Sequence, residues 1–175
     1  MNFKIKKKKK VLVTGGTGFI AGWIIKHLVE EGVTVHATVR DPDDKQKVAH
    51  LVKLSENNPG EIILFKADLL ERGSFNAAAK GCNIVFHIAS PFLFKFNDPV
   101  KDLINPAFEG TKNVLEAVNV TDSVERVVLT SSCAAIYGDA DECQHAPNNT
   151  LTEAIWNNTS STSHQPYSYS KTIAE

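Results

Sequence analysis

The feature that most constrains this chain is the run Thr14-Gly15-Gly16-Thr17-Gly18-Phe19-Ile20-Ala21-Gly22. It follows a short apolar, β-branched stretch at 11–13 and precedes a segment with helical apolar spacing. Gly15, Gly18 and Ala21 fit the spacing G-x-x-G-x-x-[GA]. Glycines there permit a tight turn and a close backbone approach to a ligand. The helix that follows turns its free amides toward the loop, which suits a pyrophosphate. Alone the loop would be a weak signal. Between a strand and an amphipathic helix it predicts a dinucleotide-binding βαβ unit, with Gly15, Thr17, Gly18, Phe19 and Ile20 as candidate cofactor contacts.

The alternation continues. Residues 18–31 predict a helix with Ile20, Trp23, Ile24, His27 and Leu28 near one face and Gly32 past its end. Strands are expected at 33–39, 62–66, 84–88 and 127–129, and helices at 42–55 and 74–79. A long helix over 98–120 is opened by Pro99 and kinked or reset at Pro106. Five strands alternating with helices predict an α/β fold, a Rossmann-type doubly wound parallel sheet covered on both faces. The full fold has six strands, so the chain reads as ending before the last strand or strands and a substrate lobe. The expected division is a basic tail over 1–10 and one nucleotide-binding domain, incomplete at its C-terminus, over 11–175. The polar stretch 139–165 predicts a long surface loop with one turn near 153–156.

Composition sets bounds. With 42% hydrophobic and 22% charged residues the chain can bury a sizeable core. Its net charge is −1; without Lys4 and the lysines at 6–10 it is −7. The mildly acidic body argues against nucleic acid as a partner, and the lysine run reads as a solvated tail. Cys82, Cys133 and Cys143 are odd in number and lack a C-x-x-C spacing. That argues against a disulfide framework or a metal site and suits a reducing compartment, so a cytoplasmic location is expected. No stretch has the length of a secretory or membrane-spanning segment, and no membrane partner is expected.

The second strand ends at Val39, and Arg40 follows. An acid at that point binds a ribose 2′-hydroxyl, whereas an Arg suits a 2′-phosphate through its planar donor fork. Arg40, with Lys47 in the next helix, therefore favours NADP(H). The alternatives have Asp41 bind the hydroxyl, or leave Arg40 as a solvated loop residue.

In Tyr167-Ser168-Tyr169-Ser170-Lys171 the phenol and the ammonium stand four residues apart, on one face of a helix. A neighbouring ammonium favours phenolate and so suits a tyrosine to general-acid work. Ser131 and Ser132 end the fifth strand, where α/β sheets bind ligands. A hydroxyl there can stabilise a developing oxyanion. Without the Tyr/Lys pair, the two serines would read simply as a strand-end turn.

Together these pieces resemble an extended short-chain dehydrogenase/reductase, within the NAD-dependent epimerase/dehydratase superfamily. The nearest branch is that of dihydroflavonol reductase, cinnamoyl-CoA reductase and yeast-type aldehyde reductases. The matching stretches are Thr14 to Gly22, Ala37-Thr38-Val39-Arg40-Asp41-Pro42, Ala67-Asp68-Leu69, Val85-Phe86-His87-Ile88-Ala89-Ser90-Pro91, 106–114, 123–132 and 167–175. The resemblance implies that Ser132 binds a substrate carbonyl and Tyr167 protonates it. It implies that Lys171 lowers the tyrosine pKa and, like Tyr167, meets the cofactor. Asp68 and Leu69 would flank the adenine, and Ala89 and Ser90 would line the cofactor path. His87 is assigned no chemistry. Many extended members carry an Asn where Ala107 stands, so that proton relay is absent.

The implied activity is reduction of a ketone or aldehyde to an alcohol with NADPH, by a monomer or by a homodimer joined through the long helix. The alternatives are a nucleotide-sugar epimerase/dehydratase using NAD, and a non-catalytic NADP-binding fragment.

Overall fold

The structure, a computed structural model, describes residues 9–93 and 95–175. They form two compact units: residues 9–89 with Lys112–Thr130, and Ser90–Thr111 with Ser131–Glu175. Of the basic tail expected over 1–10, residues 1–8 lie outside the described residues. Lys9 pairs with Glu125, and Lys10 already belongs to the first strand.

The first unit holds the sheet. Strands β1 (Lys10–Val13), β2 (Thr34–Val39), β3 (Glu61–Lys66), β4 (Ile84–His87) and β5 (Arg126–Leu129) are all parallel, in the order β3-β2-β1-β4-β5. The strand order reverses between β1 and β4, and ligands of such sheets bind outside the carboxyl ends at that point. Central β1 shows why its residues are apolar throughout. Val11 and Val13 enter one core with Ile25, Val29 and Leu51, from helices α1 (Phe19–Glu30) and α2 (Lys45–Glu56). Leu12 enters a second core with Ala78 and Ala79 of α3 (Asn76–Ala79) and Val114 and Ala117 of α4 (Asn105–Asn119). Each fully buried Leu, Ile or Val contributes about 1.5–3 kcal/mol.

Three expectations need correction. The buried face of α1 is Ala21, Ile25, Leu28 and Val29; of the expected stripe Leu28 is buried and Ile24 packs against the core, but Ile20, Trp23 and His27 are exposed. Ile20 and Trp23 are half exposed, and Lys26 lies over the indole at 5.3 Å. Both stripes are apolar, so periodicity does not separate them; the turn does. A Cβ on Gly16 would lie 3.1 Å from Ala37 and 3.5 Å from Ile25, so this close approach fixes the helix's phase. Helix α2 begins at Lys45 rather than at 42, because Asp44 caps it by accepting from the Lys47 amide (3.2 Å).

The third correction concerns the long helix, which starts as a π-helical turn at Val100–Ile104 before α4. Pro106 has no amide to donate and crowds the carbonyl four residues earlier, and the wider turn ahead of it relieves both problems. Asp98 caps the turn, accepting from the amides of Val100 (2.9 Å) and Lys101 (3.2 Å).

The second unit contains this turn, the start of α4, the short 3₁₀ turns Cys133–Ala135, Ala140–His145 and Pro147–Asn149, and α5 (Pro166–Ala174). Helix α5 packs against Val100–Ile104 and Cys133–Ala135. The stretch 139–165 holds more structure than the single expected turn. Glu142 accepts from the amides of Gly138 (3.1 Å) and Asp139 (2.8 Å) and from the Thr159 hydroxyl (2.5 Å). Buried Asn157 donates to the Ala134 and Ala135 carbonyls. No helix among the described residues is long and apolar enough to cross a membrane.

Candidate functional site

In the first unit, four segments leave the sheet at the carboxyl ends of parallel strands: Gly15 after β1, Arg40 after β2, Asp68 beyond β3 and Ala89 beyond β4. Gly15 has φ +71, a conformation that disfavours side chains. A Cβ there would lie 3.1 Å from that of Ala89. The turn closes with Gly18 N donating to the Gly15 carbonyl (2.8 Å) and Gly16 N to the Thr38 carbonyl (2.8 Å). No side chain caps α1, and no acid stands in its first turn. Its leading amides are therefore left to an outside acceptor. Thr17, Gly18, Phe19 and Ile20 are all exposed around that end. The cradle, shaped for backbone and open at a helix N-terminus, fits a pyrophosphate.

Thr14 organises this region and was not singled out by its sequence. Its fully buried hydroxyl accepts from the amides of Ile88 and Ala89, both at 3.0 Å. Its proton then goes to Nδ1 of buried His87 (2.8 Å). The histidine is a structural anchor here. The only sequence signal was a hydroxyl at the last position before the glycines.

Arg40 is exposed and makes no ion pair among the described residues. Lys47 pairs with Asp44 at 2.9 Å. Asp41 accepts from the Asp43 amide through one carboxylate oxygen (3.0 Å). Asp68 and Leu69 are half-buried. Oδ1 of Asp68 accepts from the Leu70 amide (2.9 Å), and the Leu69 carbonyl accepts from Nδ2 of Asn113 (2.7 Å). Asn113 was also missed. Its signal is a polar residue on the buried stripe Ala107, Gly110, Thr111, Val114 and Ala117 of α4.

In the second unit, Ser90 is half-buried. Ser132 is extended and caps the turn Cys133–Ala135, its oxygen accepting from the Ala134 amide (3.2 Å). Its O–H remains a donor. Neighbouring Ser131 donates to the Glu175 carboxylate. Tyr167 and Lys171 lie one turn apart on α5, which begins at Gln165 (φ 51) and Pro166. Edge-on contact with Phe92 orients the Tyr167 ring (5.3 Å, 77°). Lys171 is only 8% exposed. Burial lowers its pKa, and the Glu175 carboxylate one turn on pulls it partly back. The structure thus brings Ser132, Tyr167 and Lys171 into one unit, in a turn and a helix that pack together. No cluster of metal-ligating side chains occurs among the described residues.

The chain is 47% identical over 173 residues to a putative anthocyanidin reductase of Ginkgo biloba, covering 94% of this chain and 48% of that protein. It is 52% identical over 126 residues to a cinnamoyl-CoA reductase of Medicago truncatula, covering 72% of this chain and 38% of that one. Gre2 of Candida albicans, solved in complex with NADPH, superposes with a TM-score of 0.78 at 35% identity, over 95% of this chain and 50% of that one. The chain thus spans half or less of the length of these relatives. The family model described as "NAD dependent epimerase/dehydratase family" matches residues 11–175, so the chain belongs to that family.

Proposed function

We propose that this chain is the cofactor-binding and catalytic part of an NADPH-dependent reductase that converts a ketone or aldehyde to an alcohol. The observation that carries this reading is Lys171, an ammonium buried one turn from Tyr167 on a helix packed against the Ser132 turn. Burying an ammonium is unfavourable, so its place beside a phenol supports proton chemistry. The relatives named as reductases, and the NADPH held by Gre2, support the same reaction class.

The residues divide the work. Gly15, Thr17, Gly18, Phe19 and Ile20 hold the pyrophosphate. Arg40, with Lys47, takes the 2′-phosphate. Asp68 and Leu69 flank the adenine, and Ala89 and Ser90 line the path onward. Tyr167 and Lys171 hold the nicotinamide ribose. NADPH supplies the hydride when bound. Ser132 donates a hydrogen bond to the substrate oxygen, Tyr167 delivers the proton from its phenol, and Lys171 stabilises the phenolate left behind.

Parallel titration with NADPH and NADH tests this reading. NADPH binds more tightly, and Arg40→Ala weakens NADPH about 10–100-fold, the worth of a charge-assisted contact, while barely moving NADH. Equal or tighter NADH binding would overturn the assignment and point to an NAD-using epimerase/dehydratase. With NADPH binding established, loss of carbonyl reduction in Tyr167→Phe far beyond any loss of NADPH affinity is the expected catalytic signature.

A further inference from the structure

The segment after β3 is tied down from two sides within the first unit. Asn113 of α4, 7% exposed, donates Nδ2 to the Leu69 carbonyl at 2.7 Å. Ser74 closes on the residue before: its hydroxyl donates to the Asp68 carbonyl (2.9 Å) and accepts from the Asp68 amide (3.2 Å). One turn beyond Asn113, Glu116 accepts from Nε of Arg72 (3.2 Å), farther along the same segment. A carbonyl–amide bond from a buried side chain fixes a peptide plane, and with it the direction of the flanking side chains. Within that frame Oδ1 of Asp68 is taken by the Leu70 amide, which turns the carboxylate so that Oδ2 is left to accept from an outside donor.

We infer that Asn113 and Ser74 are positioning residues for recognition of the cofactor's base. They hold Asp68 so that its carboxylate accepts from an exocyclic amino group, and Leu69 so that it packs beside the ring. This rests on the nucleotide-binding reading above and adds to it two residues that touch no cofactor. An amino group on the base is then required: hypoxanthine, with a carbonyl at that place, sets an acceptor against the carboxylate.

The test compares binding of NADPH and of its reduced hypoxanthine analogue by fluorescence titration. The wild-type chain is expected to prefer NADPH about tenfold or more, as for one charge-assisted hydrogen bond. In Asn113→Ala and in Ser74→Ala this preference falls toward parity, mainly through weaker NADPH binding. A purely structural role would weaken both dinucleotides equally and leave the ratio intact, which would overturn the inference. Ser74 lies at the half-buried surface, so Ser74→Ala keeps the test decisive should Asn113→Ala fail to fold. A wild-type chain that binds both dinucleotides equally would also overturn it while sparing the function proposed above. A wild-type chain that binds neither would overturn both.

Discussion

The Thr14 hydroxyl lies 2.8 Å from Nδ1 of His87 while accepting the amides of Ile88 and Ala89, so one side chain binds the end of β1 to the exit of β4. Every hydrogen-bonding position on that oxygen is used, and the site is dry: Thr14 is fully buried and His87 is 3% exposed. Thr14→Val keeps the shape and strands two amides and a ring nitrogen. Leaving buried polar groups unpaired costs about 1–3 kcal/mol each before relaxation. Urea denaturation should show a loss of roughly 2–4 kcal/mol, with Thr14→Ser recovering most of it. A loss under about 0.5 kcal/mol would mean that water or a shifted loop replaces the hydroxyl.

Two glycines of the same motif should respond in opposite directions. Gly15→Ala puts a side chain at φ +71 and within 3.1 Å of the Ala89 Cβ, and is expected to cost roughly 1–3 kcal/mol as well as weaken NADPH binding. At Gly22, inside α1, a Cβ would meet nothing within 4 Å. Gly22→Ala therefore gains helix propensity without a clash, and should stabilise by about 0.5–1 kcal/mol. Thermal melts of the pair check both signs; stabilisation by Gly15→Ala would contradict the cradle.

How much of this was legible beforehand depends on the range of each interaction. The parallel α/β sheet could be read because β-branched runs, the glycine loop and the helical spacing are local signals. The phase of α1 could not, since Ile20 and Trp23 offer as good a stripe as Ala21 and Ile25 until the contact of Gly16 with Ala37 chooses between them. Pro106 announced a reset, yet nothing local specified a π turn. In the site, Ser132, Tyr167 and Lys171 stood in recognisable contexts. Thr14 and Asn113 did not, because their partners lie 73 to 75 and 44 residues away in the chain.

The Glu142 carboxylate should make the 139–165 segment acid-sensitive. The amide of Asp139, the Thr159 hydroxyl and the amide of Gly138 all bond its ionised form, which lowers its pKa from the usual 4.5. A depressed carboxylate contributes stability that is present above its unfolded value and lost as pH falls through the folded one. Limited proteolysis of the segment should therefore accelerate in the native chain as pH falls below the usual 4.5 and through the lowered folded value. Glu142→Gln, with no charge to lose, should be cut faster at neutral pH and show little further change on acidification. A variant with the same pH dependence as the native chain would assign the acid sensitivity elsewhere.

Lys171 shifts in the same direction for a different reason: burial disfavours its charged form instead of partners favouring it. Burial lowers its pKa below the usual 10.5, so the folded chain releases this proton before the unfolded chain does. Between the lowered folded value and 10.5 the unfolded state binds more protons, and stability attributable to this residue rises with pH across that window. Below it the cost of holding a buried charge is constant. Lys171→Met removes the charge and the titration together, at similar length. The difference in unfolding free energy, native minus variant, should be flat near neutrality and move in favour of the native chain as pH climbs toward 10.5. A flat difference throughout would mean that Glu175 and the remaining partners of Lys171 compensate its burial in full. The ammonium would then have its ordinary acidity in the fold, and its effect on Tyr167 would rest on proximity alone.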